Sequence, residues 1–503
     1  MKSGASWCVE SGYGYYAVIT ATDTEGNPAY AMGNVRYSGE YQTPATTEYD
    51  NYEFLGWSLD PNATSPDYKD ATDAEAHMIL NAGEKVTLYA VWSPVVNLSY
   101  DGNNATAGSM ESTSYSGDTP TTVTLAHEDI LAGDNIDLYA PNYKKTGYGF
   151  AGWSTDQDAW SNLTDDDESN DPVIYGPNQS FTMTKEMALA ETDGKSTLYA
   201  VWVPAETDNS GNPVSLQDWT GCSNLTATTY NDGVLSVGKN TVTALTDSRD
   251  GNVYTVARLA DGNCWMTENL RLDNEPELSS TNTNNPSLPL TNDDIDHTTS
   301  NYLSATSNDW CTFTWSDPEQ DALCANQSKL NTNNTVLTTA SPSFSQDFTN
   351  YAHDWNTGSL NANIASYGNY YNWYSATAGN GKYETGSNVT VAGDICPAGW
   401  ILPIGNETSA NGSFSNLDSN MGGTGSGHDG SNNWRSFPNN FVYSGYWYGS
   451  SAYGRGSSGY YWSSTASSTN NAYYLGLSSD IVGFTNNNNK YMGYPVRCLS
   501  SAQ

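Results

Sequence analysis

The chain is short of positive charge. Eighteen Lys and Arg face 56 Asp and Glu over 503 residues, a formal charge of −38. Phosphate backbones and anionic membrane surfaces both need a basic footprint, so nucleic acid and lipid surfaces are set aside as partners. Carboxylates are not in surplus: charged residues are only 15% of the chain, against about 25% in ordinary soluble proteins. The acidity comes from missing cations, and polarity is carried by Asn, Ser, Thr, Gly and Tyr. Strong helix formers (Leu, Lys, Arg, Glu) are scarce, whereas 36 Tyr and 16 Trp suit strands. That composition excludes a helical bundle and a coiled coil. No apolar run reaches the roughly 18 residues that a membrane-spanning helix needs, so no membrane insertion is expected.

Catalytic signatures are also missing. The five histidines, His77, His127, His297, His353 and His428, sit in no H-E-x-x-H context, no G-x-S-x-G elbow occurs, and no glycine-rich phosphate loop precedes a helix. No enzyme is expected. The seven cysteines, Cys8, Cys222, Cys264, Cys311, Cys324, Cys396 and Cys498, form no close C-x-x-C pair, which removes the usual zinc framework. Asp165, Asp166 and Asp167 offer hard oxygen donors of the type calcium takes, but no D-x-D-x-D-G loop with a distal Glu follows. A solvated acidic loop is the expectation there, with no cofactor, and calcium is the alternative.

The opening residues MKSGASWCVE lack the apolar stretch of a secretory signal, while the rest has the composition of an exported β-protein. The expectation is a fragment of a longer extracellular or cell-surface chain. In that compartment dispersed cysteines pair. The expected bridges are Cys311–Cys324, Cys396–Cys498 and Cys222–Cys264, leaving Cys8 over.

What is present first of all is a repeat. YEFLGWSLDP at 52–61 is followed by VTLYAVWSP at 86–94; YGFAGWSTDQ at 148–157 is followed by STLYAVWVP at 196–204. The Trp-to-Trp interval is longer in the second copy, and DDDESNDP at 165–172 is the expected insertion. TLYAVW reads as a strand buried on at least one face. The Gly before each Trp suits a bend or a close backbone approach, and Pro94 and Pro204 are expected to stop the strands. Together with Tyr100-Asp101-Gly102-Asn103, these motifs resemble the Listeria–Bacteroides repeat of internalin-type surface proteins. The first copy departs from that pattern, with Asn51 where the family has Gly. The resemblance implies two small β-grasp-like modules, over 1–94 and 95–204, acting as a spacer.

Residues 205–215, AETDNSGNPVS, read as a linker, and 216–503 as one large domain. Its first hairpin is expected from two strands, 252–259 and 263–269, around Asp261-Gly262. Six blocks then recur in order: Asp250-Gly251-Asn252 with Tyr254; Trp265-Met266-Thr267-Glu268-Asn269-Leu270; Tyr371-Asn372-Trp373-Tyr374; Cys396-Pro397-Ala398-Gly399-Trp400 with Leu402-Pro403; Tyr461-Trp462-Ser463-Ser464-Thr465; and Gly493-Tyr494-Pro495-Val496-Arg497-Cys498. They resemble the Fibrobacter succinogenes major paralogous domain of bacterial envelope and secreted proteins. The resemblance implies a C-type-lectin-like α+β domain with paired terminal strands and long ligand loops. A helix is implied after Leu402-Pro403, but GNETSANGSFSNLDSNMGG is a poor helix former, so a short or displaced one is expected. The fold class is thus mainly β with minor α.

The densest signal for binding is aromatic and amide. Tyr446, Trp447, Tyr448, Tyr453 and Tyr491 are interleaved with Asn470, Asn471, Asn486, Asn487, Asn488 and Asn489. Tyr and Trp supply rigid amphipathic contact area, and Asn supplies adaptable hydrogen bonds. Tyr461, Trp462 and Tyr494 are expected in the core. The leading expectation is an adhesin-like protein binding a glycan or a surface protein of another cell. A structural envelope or filament subunit is the alternative from another class. The Asn-rich end NNNNKYMGYPVRCL also resembles variable proteins diversified by retroelements that mutate adenines.

Overall fold

In a computed structural model the described residues are 2–9, 15–22, 52–68, 86–116, 119–165, 170–184, 187–188, 195–231, 234–248, 251–271, 367–368, 371, 373–377, 386–391, 394–405, 412–423, 431–448, 451–490 and 492–501. They are mainly strand, with a few short helices. Two compact units separate: Met1–Ser99 with Ala126–Ile136 and Thr182–Ser196, and the remainder.

The first unit contains β1 (Lys2–Val9), β2 (Tyr15–Thr22), β3 (Tyr52–Ser58), β4 (Val86–Asp101) and β5 (His127–Leu131). β1 pairs with β2, β2 with β4, and both β3 and β5 with β4, all antiparallel. Pro94 does not stop its strand. It pairs with Tyr52 at the end of β3, and Val95 already pairs with Leu131 of β5. A proline is tolerated at this change of partner because a missing N–H there interrupts neither run of the ladder. The ladder bulges between Phe54 and Gly56. Behind the bulge Phe54 meets Trp57 and Trp92 edge-on, at 5.2 and 5.4 Å between ring centroids.

The second repeat reproduces these contacts inside the second unit. β6 (Tyr148–Ser154) pairs with β7 (Lys195–Pro204), again with a bulge between Phe150 and Gly152. Phe150 meets Trp153 and Trp202 edge-on at 5.3 and 5.7 Å. Gly152 is needed for close approach: a Cβ there would lie 2.6 Å from the Tyr175 carbonyl oxygen. The Tyr100-Asp101-Gly102-Asn103 turn is explained by two tethers. The Asn103 amide donates to the Ala200 carbonyl at 3.0 Å, and the Trp202 indole donates to the Gly102 carbonyl at 2.9 Å. Asn103 and Asn104 hold positive φ, which asparagine accepts more readily than most residues.

One difference between the copies matters. Tyr68 bridges to Trp57 eleven positions earlier, whereas Tyr175 bridges to Trp153 twenty-two positions earlier. The extra residues include α1 (Ala159–Asn162). Ala159, Leu163 and Ile174 of this stretch are buried in one core with Val242, Ala244, Trp434 and Phe441 of the C-terminal region, and Lys239 N–H donates to the Thr164 carbonyl at 2.7 Å. The insertion is a docking element.

After β7 the chain contributes β8 (Val242–Thr246), β9 (Val253–Arg258), β10 (Cys264–Met266), α2 (Trp373–Ala376), β11 (Val389–Thr390), α3 (Ser413–Asn420), α4 (Asn432–Arg435), β12 (Tyr446–Tyr448), β13 (Ser451–Tyr453), β14 (Gly459–Ala466), β15 (Asn471–Leu477), β16 (Val482–Asn489) and β17 (Leu499–Ser500). One sheet runs β8-β9-β10-β17 and another β11-β14-β15-β16. The expected hairpin is β9–β10, and the poor helix former after Leu402-Pro403 yields the eight-residue α3. Residues 205–215 are not a free linker. Glu206 N–H donates to the Ala244 carbonyl, Leu216 N–H donates to the Thr246 carbonyl, and Thr246 N–H donates to the Val214 carbonyl, all near 2.8–3.0 Å. The segment lies along β8 because its backbone polar groups find partners there.

Two disulfides lock the domain, Cys222–Cys264 and Cys396–Cys498, with Cα atoms 5.8 and 5.7 Å apart. The expected Cys311–Cys324 bridge lies outside the described residues. Trp462 and Tyr494 are buried in one core with both disulfides, whereas Tyr461 points into the other core with Trp265 and Phe441.

The second repeat and the C-terminal region also share polar contacts. The Asn440 amide donates to the Ala151 carbonyl at 2.6 Å, Tyr443 N–H donates to the Asn178 side chain at 2.9 Å, and Arg435 pairs with Asp137 at 2.8 Å. Gly176 has no room for a side chain, since a Cβ would overlap the Arg435 carbonyl. Gly176→Ala is therefore expected to destabilise the protein by about 1–3 kcal/mol through overpacking against backbone. Denaturant titration checks this; a midpoint unchanged from wild type would mean that the seam yields freely.

Candidate functional site

Period-2 alternation decides where the aromatic and amide residues go. On β14, Tyr460 and Trp462 share one face and Tyr461 takes the other. On β15, Tyr474 lies opposite Trp462 in register, and on β16 Asn486 lies opposite Tyr474. The result is a stack of five tyrosines. Tyr453 stacks on Tyr446 at 5.5 Å, Tyr446 meets Tyr460 edge-on at 5.1 Å, and Tyr460 stacks on Tyr494 at 5.3 Å. Tyr474 meets Tyr494 at 5.0 Å, and Tyr494 rests on Trp462 at 4.2 Å. Tyr494 and Trp462 are fully buried, whereas Tyr446, Tyr453, Tyr460 and Tyr474 are half-buried. The cluster runs from the core to the surface.

Two backbone features position the outer end. Tyr446 and Tyr453 are cross-strand partners in the β12–β13 hairpin. Gly445, at φ +67°, admits no Cβ because the Tyr453 carbonyl occupies that space. Packing among aromatic rings sets the chemistry of the phenols. Burial, with the neighbouring Tyr460 and Tyr446, pushes Tyr474 up to about 12. Burial likewise raises Tyr494, whose hydroxyl accepts from the Asn488 amide at 2.9 Å. Tyr474 and Tyr494 are thus neutral hydrogen-bonding groups at physiological pH.

The asparagines divide between two faces. Asn486 and Asn488 share the tyrosine face. Asn471 donates to Asn487 across the strands at 3.0 Å on the opposite face, with Asn489 on that same side and Asn470 exposed in the β14–β15 turn. The contiguous Asn486–Asn489 run therefore cannot act as one surface. Trp447 and Tyr448 take their place in the hairpin by backbone pairing, and Tyr491 lies outside the described residues. Tyr460 and Tyr474 join the stack although neither was among the expected contact residues. The signal that finds them is the alternation in GYYWSST and NAYYLGL, where every second aromatic shares a face.

Asp165 is exposed, and Asp166 and Asp167 lie outside the described residues. Among the described residues, no three His, Cys, Asp or Glu side chains converge as metal ligands, and no helix is long and apolar enough to cross a membrane.

The six sequence blocks of the C-terminal region meet in one core, to which they contribute Tyr254, Met266, Tyr371, Trp400, Trp462 and Tyr494, and buried hydrogen bonds fix several of these residues. The Trp462 indole donates to the Tyr371 carbonyl at 2.7 Å, the Trp400 indole to the Leu216 carbonyl at 2.8 Å, and Arg497 Nε to Asn269 Oδ1 at 2.6 Å. No curated protein and no solved structure matches the chain. A family model does match within the N-terminal region, twice, over 20–91 and 98–176. Both matches are to the Listeria–Bacteroides repeat domain, a module typical of bacterial surface proteins, and each matched segment contains the bulged strand with its edge-on Phe–Trp contact.

Proposed function

We propose that the protein is an adhesin-like binding protein of a bacterial surface, acting outside the cell, whose C-terminal region carries the ligand face. The single observation behind this reading is the graded tyrosine stack. Its inner members are immobilised in the core, its outer members, Tyr446 and Tyr453, are half-buried, and Asn486 lies opposite Tyr474 in register. Rigid aromatics lose little conformational entropy on binding, and flanking amides adapt their hydrogen bonds. The ligand is a glycan or a surface protein of another cell, and recognition needs no cofactor and no covalent step. The meeting of the six blocks in one core, with the C-terminal β17 paired to β10, supports a C-type-lectin-like relative of the Fibrobacter paralogous domain. The residues of the second repeat that share a core with the C-terminal region give this face a packed support.

The test is a screen of the full chain on glycan and whole-cell arrays. Tyr453→Ala, at the outer end of the stack, is expected to weaken any hit by at least tenfold, about 1.4 kcal/mol, with an unchanged circular dichroism spectrum. Binding indifferent to Tyr453→Ala and Asn486→Ala would place the ligand elsewhere. An absence of hits combined with self-assembly at micromolar concentration would favour a structural envelope subunit.

A further inference from the structure

The sheet β11-β14-β15-β16 ends on an open edge. β16 is its last strand, and among the described residues no strand pairs with the far side. Parity decides which backbone groups face out. In an antiparallel ladder alternate residues exchange N–H and C=O with the neighbouring strand, and the residues between turn theirs away. Lys490 N–H donates to the Asn470 carbonyl at 2.9 Å, in the same register that sets Asn488 against Ala472 and Asn486 against Tyr474. Asn486 and Asn488 therefore bond inward to β15, and Asn487 turns its N–H and C=O outward. Asn487 is exposed, and its backbone makes no bond beyond the ladder.

An open edge is a template for another strand, and proteins guard it with charge, proline or a bulge. The bulge of this ladder lies before Asn486, so residues 486–489 pair regularly. VGFTNNNN at 482–489 contains neither charge nor proline. The next cation, Lys490, is fully buried 4.5 Å over the Trp373 ring and does not guard the edge. What the strand offers instead is amides. The Asn471 amide donates to Asn487 Oδ1 at 3.0 Å across the ladder, while Asn487 Nδ2 donates to nothing among the described residues.

We propose that this edge pairs with the same edge of a second copy, antiparallel, about a two-fold axis at Asn487. Each Asn487 then gives its N–H to the carbonyl of the other, and the amide row continues as Asn471–Asn487–Asn487–Asn471 across the seam. Two observations choose a second copy over a foreign strand. A side-chain amide both donates and accepts, so an asparagine edge is its own complement. The chain carries a charge of −38, so two copies repel, and an uncharged edge is where they can meet. The contact is short, below the roughly 1,200 Å² of a standard interface, so the dissociation constant is expected at about micromolar to millimolar. A two-fold contact closes at the dimer and builds no filament. The axis stands normal to the sheet, so the two tyrosine faces look the same way and engage a surface bivalently. The pairing itself needs no ligand.

Sedimentation equilibrium of the full chain over a concentration series reads the association. A monomer–dimer equilibrium is expected, strengthened by salt, because screening weakens repulsion between two acidic chains. Asn487→Pro is expected to raise the dissociation constant at least tenfold with an unchanged circular dichroism spectrum, since an edge strand tolerates proline where the N–H faces solvent. Asn487→Lys sets like charges opposite each other across the axis and is expected to do the same; it decides alone if the proline variant loses its spectrum. Asn62→Lys, the same charge change on an exposed turn of the first repeat, is expected to dimerise as wild type. The proposal is overturned if assembly continues beyond the dimer, or if the Asn487 variants dimerise as wild type. A chain that stays monomeric at millimolar concentration also overturns it, and leaves the edge to a strand of another protein. Array binding enters none of these outcomes, so the dimer and the ligand face fail or stand separately.

Discussion

Arg497→Met is expected to lower the stability of the C-terminal region by about 3–5 kcal/mol. Arg497 is only 1% exposed and forms no ion pair among the described residues. Its guanidinium is instead ringed by neutral acceptors: Asn269 Oδ1 at 2.6 Å, the Asn439 carbonyl at 3.0 Å, and the Asn440 carbonyl. It lies 4.5 Å over the Phe441 ring. Burial lowers its pKa to about 10, still far enough above neutrality to keep it charged. Methionine fills similar space, so the loss is chiefly three buried acceptors left without a donor. Each such orphan costs about 1–3 kcal/mol, less than additively when neighbours relax. Arg497→Lys keeps the charge but not the planar fork, so it recovers only part of the loss. Denaturant unfolding followed by tryptophan fluorescence reads the effect. A Met variant within about 1 kcal/mol of wild type would show that the surrounding carbonyls find other donors.

Removing the Cys396–Cys498 bridge by paired alanine substitution is expected to cost about 4–5 kcal/mol. The bond closes a loop with a sequence separation of 102, and the chain-entropy argument gives about 4.7 kcal/mol for a loop near 100 residues. The Cys222–Cys264 bridge, with a separation of 42, is expected to be worth somewhat less, because the entropy grows only with the logarithm of loop length. The order of the two double variants in a denaturation series is the check. Equal losses would mean that native packing, and not restriction of the unfolded chain, dominates. The shorter bridge proving the stronger would reject the chain-entropy account.

Much of this was legible in sequence because it rests on local chemistry. The Phe–x–Gly–Trp and Leu-Tyr-Ala-Val-Trp motifs mark the bulged strand pair in both copies, and Asp261-Gly262 marks the β9–β10 hairpin. The Cys222–Cys264 and Cys396–Cys498 bridges match two of the three pairings expected from the sequence. What was not legible depends on three-dimensional partners. Pro94 reads as a stop until β3 and β5 are seen to succeed one another along β4. Residues 205–215 read as a linker because polar, glycine-containing composition cannot reveal that β8 lies beside them. The tyrosine stack was half visible: Tyr446 and Tyr453 stand in glycine-rich turns, while Tyr460 and Tyr474 sit inside strands that read as core. The asparagine run misled for a simple reason. Composition counts residues, whereas a strand sends neighbours to opposite sides.

The insertion of the second repeat has a consequence for how such a chain can change over generations. Two copies of one module are ordinarily interchangeable, and arrays grow or shrink by unequal exchange between them. Here the copy next to the C-terminal region carries Ala159, Leu163 and Ile174 in a shared core, whereas the first copy returns from Trp57 to Tyr68 in half as many residues. Exchange that places the first copy beside the C-terminal region would strip a wall from that core. The second copy and the C-terminal region are thus tied to one another by the core they share.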